Sequence, residues 1–308
     1  MQVVFTSAAK GHTARRPSGV SGRESSVAKP VIADRIKWKL GPSFDPRPYL
    51  SDPVVRDGFE DPETLRLPED EWPRRAPATV HASRTELLRL AEKWDALGAC
   101  KLVKCSTIRE GEHCGMFAVS KDENYDRLIL NPTVLNSRMK STNKFTKTST
   151  PGHMISMIRL LPHEDLVISS DDLSEFYYTF QVSSRRAGRN AIGKRFRGHE
   201  LRHLQCYSDD LKDQWVYICL GTLAMGDNLA VEIAQQAHFN VLRVHAGAML
   251  DSETMIHRRP IPRGPCYEML TIDDHIVLQK VPKGVPLDVQ ETRDRLTAQL
   301  SPCHLLPF

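Results

Sequence analysis

Two pairs of adjacent aspartates, Asp171-Asp172 and Asp273-Asp274, are the residues in this chain whose type and spacing suggest chemistry. The second pair lies in Ile272-Asp273-Asp274-His275-Ile276, inside an apolar stretch from Tyr267 to Val281 that reads as a β-hairpin. Adjacent carboxylates repel one another and are costly to bury. At a hairpin tip they suit a divalent cation with hard oxygen ligands, although a solvated Asp-Asp turn has the same sequence. Asp171-Asp172 follows Leu166-Val-Ile-Ser, which reads as a buried strand, and precedes Leu-Ser-Glu-Phe-Tyr-Tyr. The plain alternative there is an Asp capping a short turn. A strand-end carboxylate opposite an Asp-Asp hairpin is the donor set that two-metal phosphoryl transfer requires. One metal lowers the pKa of the attacking hydroxyl and the other stabilises the leaving pyrophosphate.

Several elements must position these groups. Ser83 and Glu86 form a capping-box pattern, and Leu87, Leu90, Ala91, Trp94 and Leu97 recur at helical spacing up to a stop at Gly98. Phe117-Ala-Val-Ser and Arg127-Leu-Ile-Leu-Asn flank the polar tip Lys121–Asp126, the pattern of a second hairpin. Pro151 to Leu161 reads as a helix with Met154, Ile155, Ile158 and Leu161 on one face. Trp215 to Leu220 reads as a strand, and Asn228 to Val244 as a long helix with Ile233, Ala237, Val241 and Val244 in phase. Helices and strands alternate without a repeat, so the fold class is α+β or α/β.

The formal charge of +4 over 308 residues conceals segregation. Asp45 to Glu71 is acidic, whereas Arg138–Arg159 and Arg185–Arg202 are basic, and each alone reads as an ordinary solvated face. Half of the 20 prolines fall before residue 80, where no period is sustained, so residues 1–82 read as a disordered leader. Residues 1–23, rich in Ser and Arg and free of acid, share the composition of organellar transit peptides and of plain tails. Seven scattered cysteines predict free thiols in a reducing, intracellular compartment. Cys100, Cys105, His113 and Cys114 are spaced like no common zinc motif and read as structural thiols. No run of about 18 apolar residues predicts a membrane span.

In order along the chain, these segments resemble the fingers and palm of reverse transcriptases of the retroelement and retrovirus type. Asp172-Leu-Ser-Glu-Phe-Tyr177 is similar to the first palm motif, an Asp followed five residues later by an aromatic. That spacing selects Asp172 over Asp171. It implies that Tyr177 lies under the sugar of the incoming nucleotide and excludes a 2′-hydroxyl. Thr271-Ile272-Asp273-Asp274 resembles the Tyr-x-Asp-Asp box, with Thr in place of Tyr. Leu223-Ala-Met-Gly226, leading into a helix, resembles the second palm motif, with Ala224 and Ala230-Val231 where the family has prolines. The 117–136 hairpin resembles the fingers, and there Lys121 and Arg127 match the residues that hold the triphosphate.

The resemblance implies an α+β right-hand polymerase over residues 83–308, with an antiparallel palm sheet backed by helices. Asp172, Asp273 and Asp274 would be catalytic and would hold two Mg²⁺, with Mn²⁺ as a substitute. Lys121, Arg127, Tyr177 and Gly226 would form the dNTP site. Arg185, Arg186, Arg189, Lys194, Arg195 and Arg197 would line a channel for primer–template phosphates, giving salt-sensitive contact with an RNA or DNA template. The implied activity is RNA-directed DNA synthesis in a retrotransposon-like element. An RNA-directed RNA polymerase shares the metal site, but Tyr177 and the fingers hairpin oppose it. Nothing after Val281 resembles a primer grip or thumb, and Leu287 to Leu300 reads as one helix. The expectation is therefore a truncated copy, active or inactive, whose further polyprotein domains lie elsewhere.

Overall fold

The structure, a computed structural model, describes residues 3–7, 27–142 and 149–284. It is a mixed helix-and-strand fold whose sheets are antiparallel apart from one pairing. A four-stranded sheet has the order β1-β5-β9-β8, formed by β1 (Val3–Ser7), β5 (Glu164–Asp172), β9 (Asp274–Pro282) and β8 (Cys266–Thr271), with β1 parallel to β5. A three-stranded sheet joins β2 (Cys100–Lys104), β7 (Trp215–Leu220) and β6 (Ala191–Arg197). The hairpin β3 (Gly115–Ser120) and β4 (Asp126–Asn131) stands separately. Among the helices, α1 (Pro53–Glu60), α2 (Arg84–Ala96) and α6 (Ala230–His245) are the longest. The short α3 (Thr133–Ser137), α4 (Phe176–Thr179) and α5 (Ser184–Gly188) punctuate the turns.

Local chemistry explains most of these elements. The Ser83 hydroxyl accepts the Glu86 N–H at 3.0 Å, α2 buries Leu87, Leu90, Ala91 and Trp94, and Gly98 at φ +70° ends the helix. Helix α6 buries Ile233, Ala237 and Val241 as its phase predicts, but Val244, in the last turn, projects into solvent. The helix expected over 151–161 is a 3-10 turn, Gly152–Met157, that buries Met154 and leaves Leu161 exposed. Pro162 accounts for the loss of helix at Leu161, because the residue before a proline is pushed out of the helical region.

The largest departure from expectation is the Pro-rich segment. Residues 27–82, expected to lie outside the fold, supply core side chains. Val31, Ala33 and Ile36 join Trp94, Leu128 and Ile218 in one cluster. Phe44, Leu50, Val55, Phe59 and Leu65 join Phe180, Ile233 and Leu270 in another. Asp52 caps α1 by accepting from Val54 and Val55, with Pro53 in the first helical position, where a missing N–H has no cost. Apolar residues isolated in sequence thus meet in space through short capped turns. Residues 8–26 and the stretch 287–300 lie outside the described residues, as does most of 1–23. Among the described residues no helix is long and apolar enough to cross a membrane.

If residues 27–82 belong to the core, Phe59→Ala, at a side chain 2% exposed, should lower unfolding free energy by about 3–5 kcal/mol in urea denaturation. A loss below about 1 kcal/mol would place this segment outside the cooperative unit.

Candidate active site

Strand alternation decides which aspartates share a face. Asp172 at the end of β5 is the direct cross-strand partner of Asp274 at the start of β9, and Asp171 is the partner of His275. Because the side-chain period is 2, Asp172 and Asp274 lie on the face that carries Leu166, Ile168, Tyr267, Met269 and Leu278 below them. Asp171 and His275 lie on the opposite face. His275 is buried against Glu268, 3.1 Å away, and one carboxylate oxygen of Asp171 is buried without a partner. Asp172, and not Asp171, therefore shares a face with Asp274. Directly opposed residues in an antiparallel pair have Cα atoms about 4.5–5.5 Å apart, where like charges destabilise the sheet.

Asp273 completes the group in the two-residue turn between β8 and β9, and its carbonyl accepts the Leu173 N–H at 3.3 Å. Burial and then the charges of Asp172 and Asp274 raise Asp273 above the usual carboxylate range; burial and Asp172 raise Asp274. Among the described residues no lysine or arginine forms an ion pair with any of the three. Three hard carboxylate oxygen donors, two of them made reluctant to ionise, are a donor set that divalent Mg²⁺ or Mn²⁺ fits.

The turn itself is strained. Ile272, a β-branched residue, has φ +61°, a conformation that costs roughly 1–3 kcal/mol and persists only where neighbours enforce it. Two residues of α6 do so. Gln235 Oε1 accepts the Ile272 N–H at 2.7 Å, and His238 Nδ1 donates to the Ile272 carbonyl at 2.8 Å. Burial pushes His238 down to about 4, so the imidazole is neutral and its single proton is at Nδ1. Sequence reading missed both residues. The available signal was a row of polar side chains, Glu232, Gln235, Gln236 and His238, all buried, among the alanines and aliphatic residues of 230–238.

A cleft of about 390 Å³ opens before the aspartates. It is lined by Ile36–Leu40, Lys121, Asp126–Leu128, Asp172–Tyr178, Met225 and Asp273. Lys121, Arg127 and Tyr177 therefore share this cleft with Asp172 and Asp273, whereas Asp274 is not among its lining residues. Burial and the charge of Asp273 raise the Tyr177 hydroxyl, which stays neutral. Gly226 does not line the cleft. It has φ +109°, and a Cβ there would lie 2.4 Å from the Leu130 carbonyl, so glycine permits the turn before α6 to lie against β4. Asn136 Nδ2, on α3, donates to the Gly226 carbonyl at 2.7 Å and ties the same turn to the helix that follows β4.

The third wall of the cleft comes from the segment read as a leader. Trp38 stacks on Tyr178 at 3.7 Å between centroids, and Glu175 Oε2 accepts the N–H groups of Lys39 and Leu40. Lys29 and Arg35 pair with the buried Asp126 at 2.6 and 2.9 Å, which anchors this segment beside Arg127.

The six basic residues expected along a nucleic-acid channel divide. Arg186 and Arg189 are buried, and both face Asp227, at 2.9 and 3.9 Å. Arg186 also donates to the Gly58 carbonyl, so neither side chain is available to a phosphate, which corrects the expectation for this pair. Lys194 is half-buried and donates to the Ala82 carbonyl. Arg185, Arg195 and Arg197 are exposed, although Arg185 pairs with Asp61 and Arg197 lies over the Trp215 ring at 4.0 Å. Phe196 is fully buried beneath Arg84 and is unavailable for base stacking.

No protein-family model matches the chain, and no curated protein matches its sequence.

A carboxylate whose folded pKa is raised binds its proton more tightly in the folded state. Asp273 and Asp274 therefore support stability when protonated, and that support is lost as pH rises through their folded pKa values. In chelator above that window, Asp274→Asn should be more stable than the wild type by about 0.5 kcal/mol, since one cross-strand repulsion is removed. Millimolar Mg²⁺ should raise the wild-type melting temperature and leave Asp274→Asn nearly unmoved. Equal Mg²⁺ shifts in both proteins would exclude Asp274 as a ligand.

Proposed function

We propose that this chain is an RNA-directed DNA polymerase domain that joins a deoxynucleotide to the 3′-hydroxyl of a primer. The observation that carries this reading is the in-register pairing of Asp172 with Asp274, beside Asp273, at the edge of a cleft shared with Lys121, Arg127 and Tyr177. The resemblance of these segments to reverse transcriptase fingers and palm supports it.

In this reading Asp172, Asp273 and Asp274 hold two Mg²⁺. When bound, the ions activate the primer hydroxyl and neutralise the charge that develops on the leaving pyrophosphate. The chain's own residues supply the rest. Lys121, at the exposed hairpin tip, and Arg127, on β4, offer an ammonium and a guanidinium fork to the triphosphate. Tyr177, held neutral against the core, would exclude a ribose 2′-hydroxyl with its ring, as the resemblance implies. The Ile272 turn, clamped by Gln235 and His238, fixes Asp273 and Asp274 relative to Asp172, and such fixed placement lowers the entropic part of the barrier. Arg185, Arg195 and Arg197 are the basic residues left to contact template and primer phosphates, in a sequence-independent and salt-dependent manner.

A primer-extension assay tests this. Purified full-length protein with an RNA template, a DNA primer and Mg²⁺ should incorporate dNTPs, and Asp172→Asn or Asp274→Asn should reduce the rate by about a thousandfold, equivalent to roughly 4 kcal/mol of transition-state stabilisation. Tyr177→Ala should retain dNTP incorporation and gain use of rNTPs. Incorporation of rNTPs alone by the wild type would assign an RNA polymerase instead. Primer–template binding without any incorporation would assign a catalytically inactive remnant.

A further inference from the structure

Cys100, Cys105, His113 and Cys114, read in the sequence as structural thiols, do not form a common cluster among the described residues. Cys105 packs against Tyr217 and Ile108, His113 lies over the Tyr217 ring, and Cys114 Sγ donates to the Arg189 carbonyl at 3.0 Å. Cys100 meets different partners. Asp95 in the last turn of α2, Cys100 at the start of β2 and Cys206 in the connection between β6 and β7 bring one oxygen and two sulfurs within 4.8 Å of one another.

Three properties of this group point to a cation. Asp95 is a buried carboxylate, 7% exposed, and no lysine, arginine or histidine pairs with it among the described residues. Its oxygens accept the backbone N–H groups of Gln205 and Cys206, which orient the carboxylate as the hydrogen bonds around a metal site orient its ligands. Cys206 is half-buried and gives the group an edge toward solvent, while Cys100 is closed off. We propose that Asp95, Cys100 and Cys206 bind one thiophilic divalent cation of the Zn²⁺ type, with a water on the Cys206 side as the fourth ligand.

Zn²⁺ holds sulfur at about 2.3 Å and oxygen at about 2.0–2.2 Å, so ligand atoms in a tetrahedral site lie about 3.5–4 Å apart. The three side chains must therefore close by no more than about 1 Å. In the absence of a cation, the hydrogen bond to Cys206, then burial, holds the Cys100 thiol protonated. A bound cation reverses that preference, and binding releases one proton from each sulfur as the two metal–sulfur bonds form. Two thiolates select a soft cation, whereas the aspartates of the cleft offer only hard oxygens, so the two sites draw on different ions. Bound there, the cation would tie the end of α2, the start of β2 and the β6–β7 connection together.

Cobalt absorption provides the test. Reduced, chelator-treated full-length protein titrated with Co²⁺ should develop a thiolate-to-cobalt charge-transfer band that saturates at one equivalent and is displaced by Zn²⁺. Cys206→Ser, at a half-buried loop position that should leave the fold intact, should weaken Zn²⁺ binding by more than about 100-fold and abolish the band. Cys105→Ser should leave it unchanged. Absence of the band in the wild type, or a band undiminished in Cys206→Ser, would overturn the proposal.

Discussion

Asp172 and Asp274 face each other across two antiparallel strands, where like charges repel, and the rest of the site is arranged so that they remain there. The register of β5 with β9 continues for nine residue pairs, from Glu164↔Pro282 to Asp172↔Asp274, so a slip at the aspartates would misplace every apolar side chain beneath them. Leu166, Ile168, Tyr267, Met269 and Leu278 form that apolar layer. Its burial favours the same pairing that the two charges oppose. From the other side, α6 holds the Ile272 turn through one acceptor and one donor, fixing a backbone conformation that a β-branched residue would otherwise leave.

The same division between apolar support and polar function recurs at the buried arginines. Arg186 and Arg189 converge on Asp227, which caps the turn into α6 by accepting the Leu229 N–H at 2.9 Å. Burial alone would raise the Asp227 carboxyl, but the two guanidiniums and the backbone donors hold it below the usual range. Removing one partner of such a cluster would leave a buried charge without compensation, so these arginines set the start of the helix that clamps the turn.

Much of the site was legible because it depends on short-range patterns. Strand period and an Asp-Asp turn marked the two aspartate pairs, the resemblance to reverse transcriptases singled out Asp172 and Tyr177, and the alternating residues of 117–131 placed Lys121 and Arg127 in a hairpin. What escaped depends on contacts distant in sequence. Charge runs say nothing of burial, so Arg186 and Arg189 looked like Arg185 until Asp227 was seen beside them. Gln235 and His238 reach a backbone more than 30 residues away. The prolines of 27–82 suppressed any periodic signal, although single apolar residues such as Ile36, Leu50 and Phe59 suffice to anchor a segment when each is fully enclosed.

The docking of the segment 29–44 has a consequence for the order in which the molecule assembles. Lys29 bridges to Ala118, Ile36 to Asp126 and Phe44 to Phe180. A ribosome releases the N-terminal partner of each pair long before the other has been made. This stretch cannot complete these pairings until residues up to about 180 have emerged. The wall of the cleft that is translated first therefore cannot be set in place until its partners between residues 118 and 180 exist. During that interval the Trp38 ring, which later stacks on Tyr178, is open to solvent or to a chaperone.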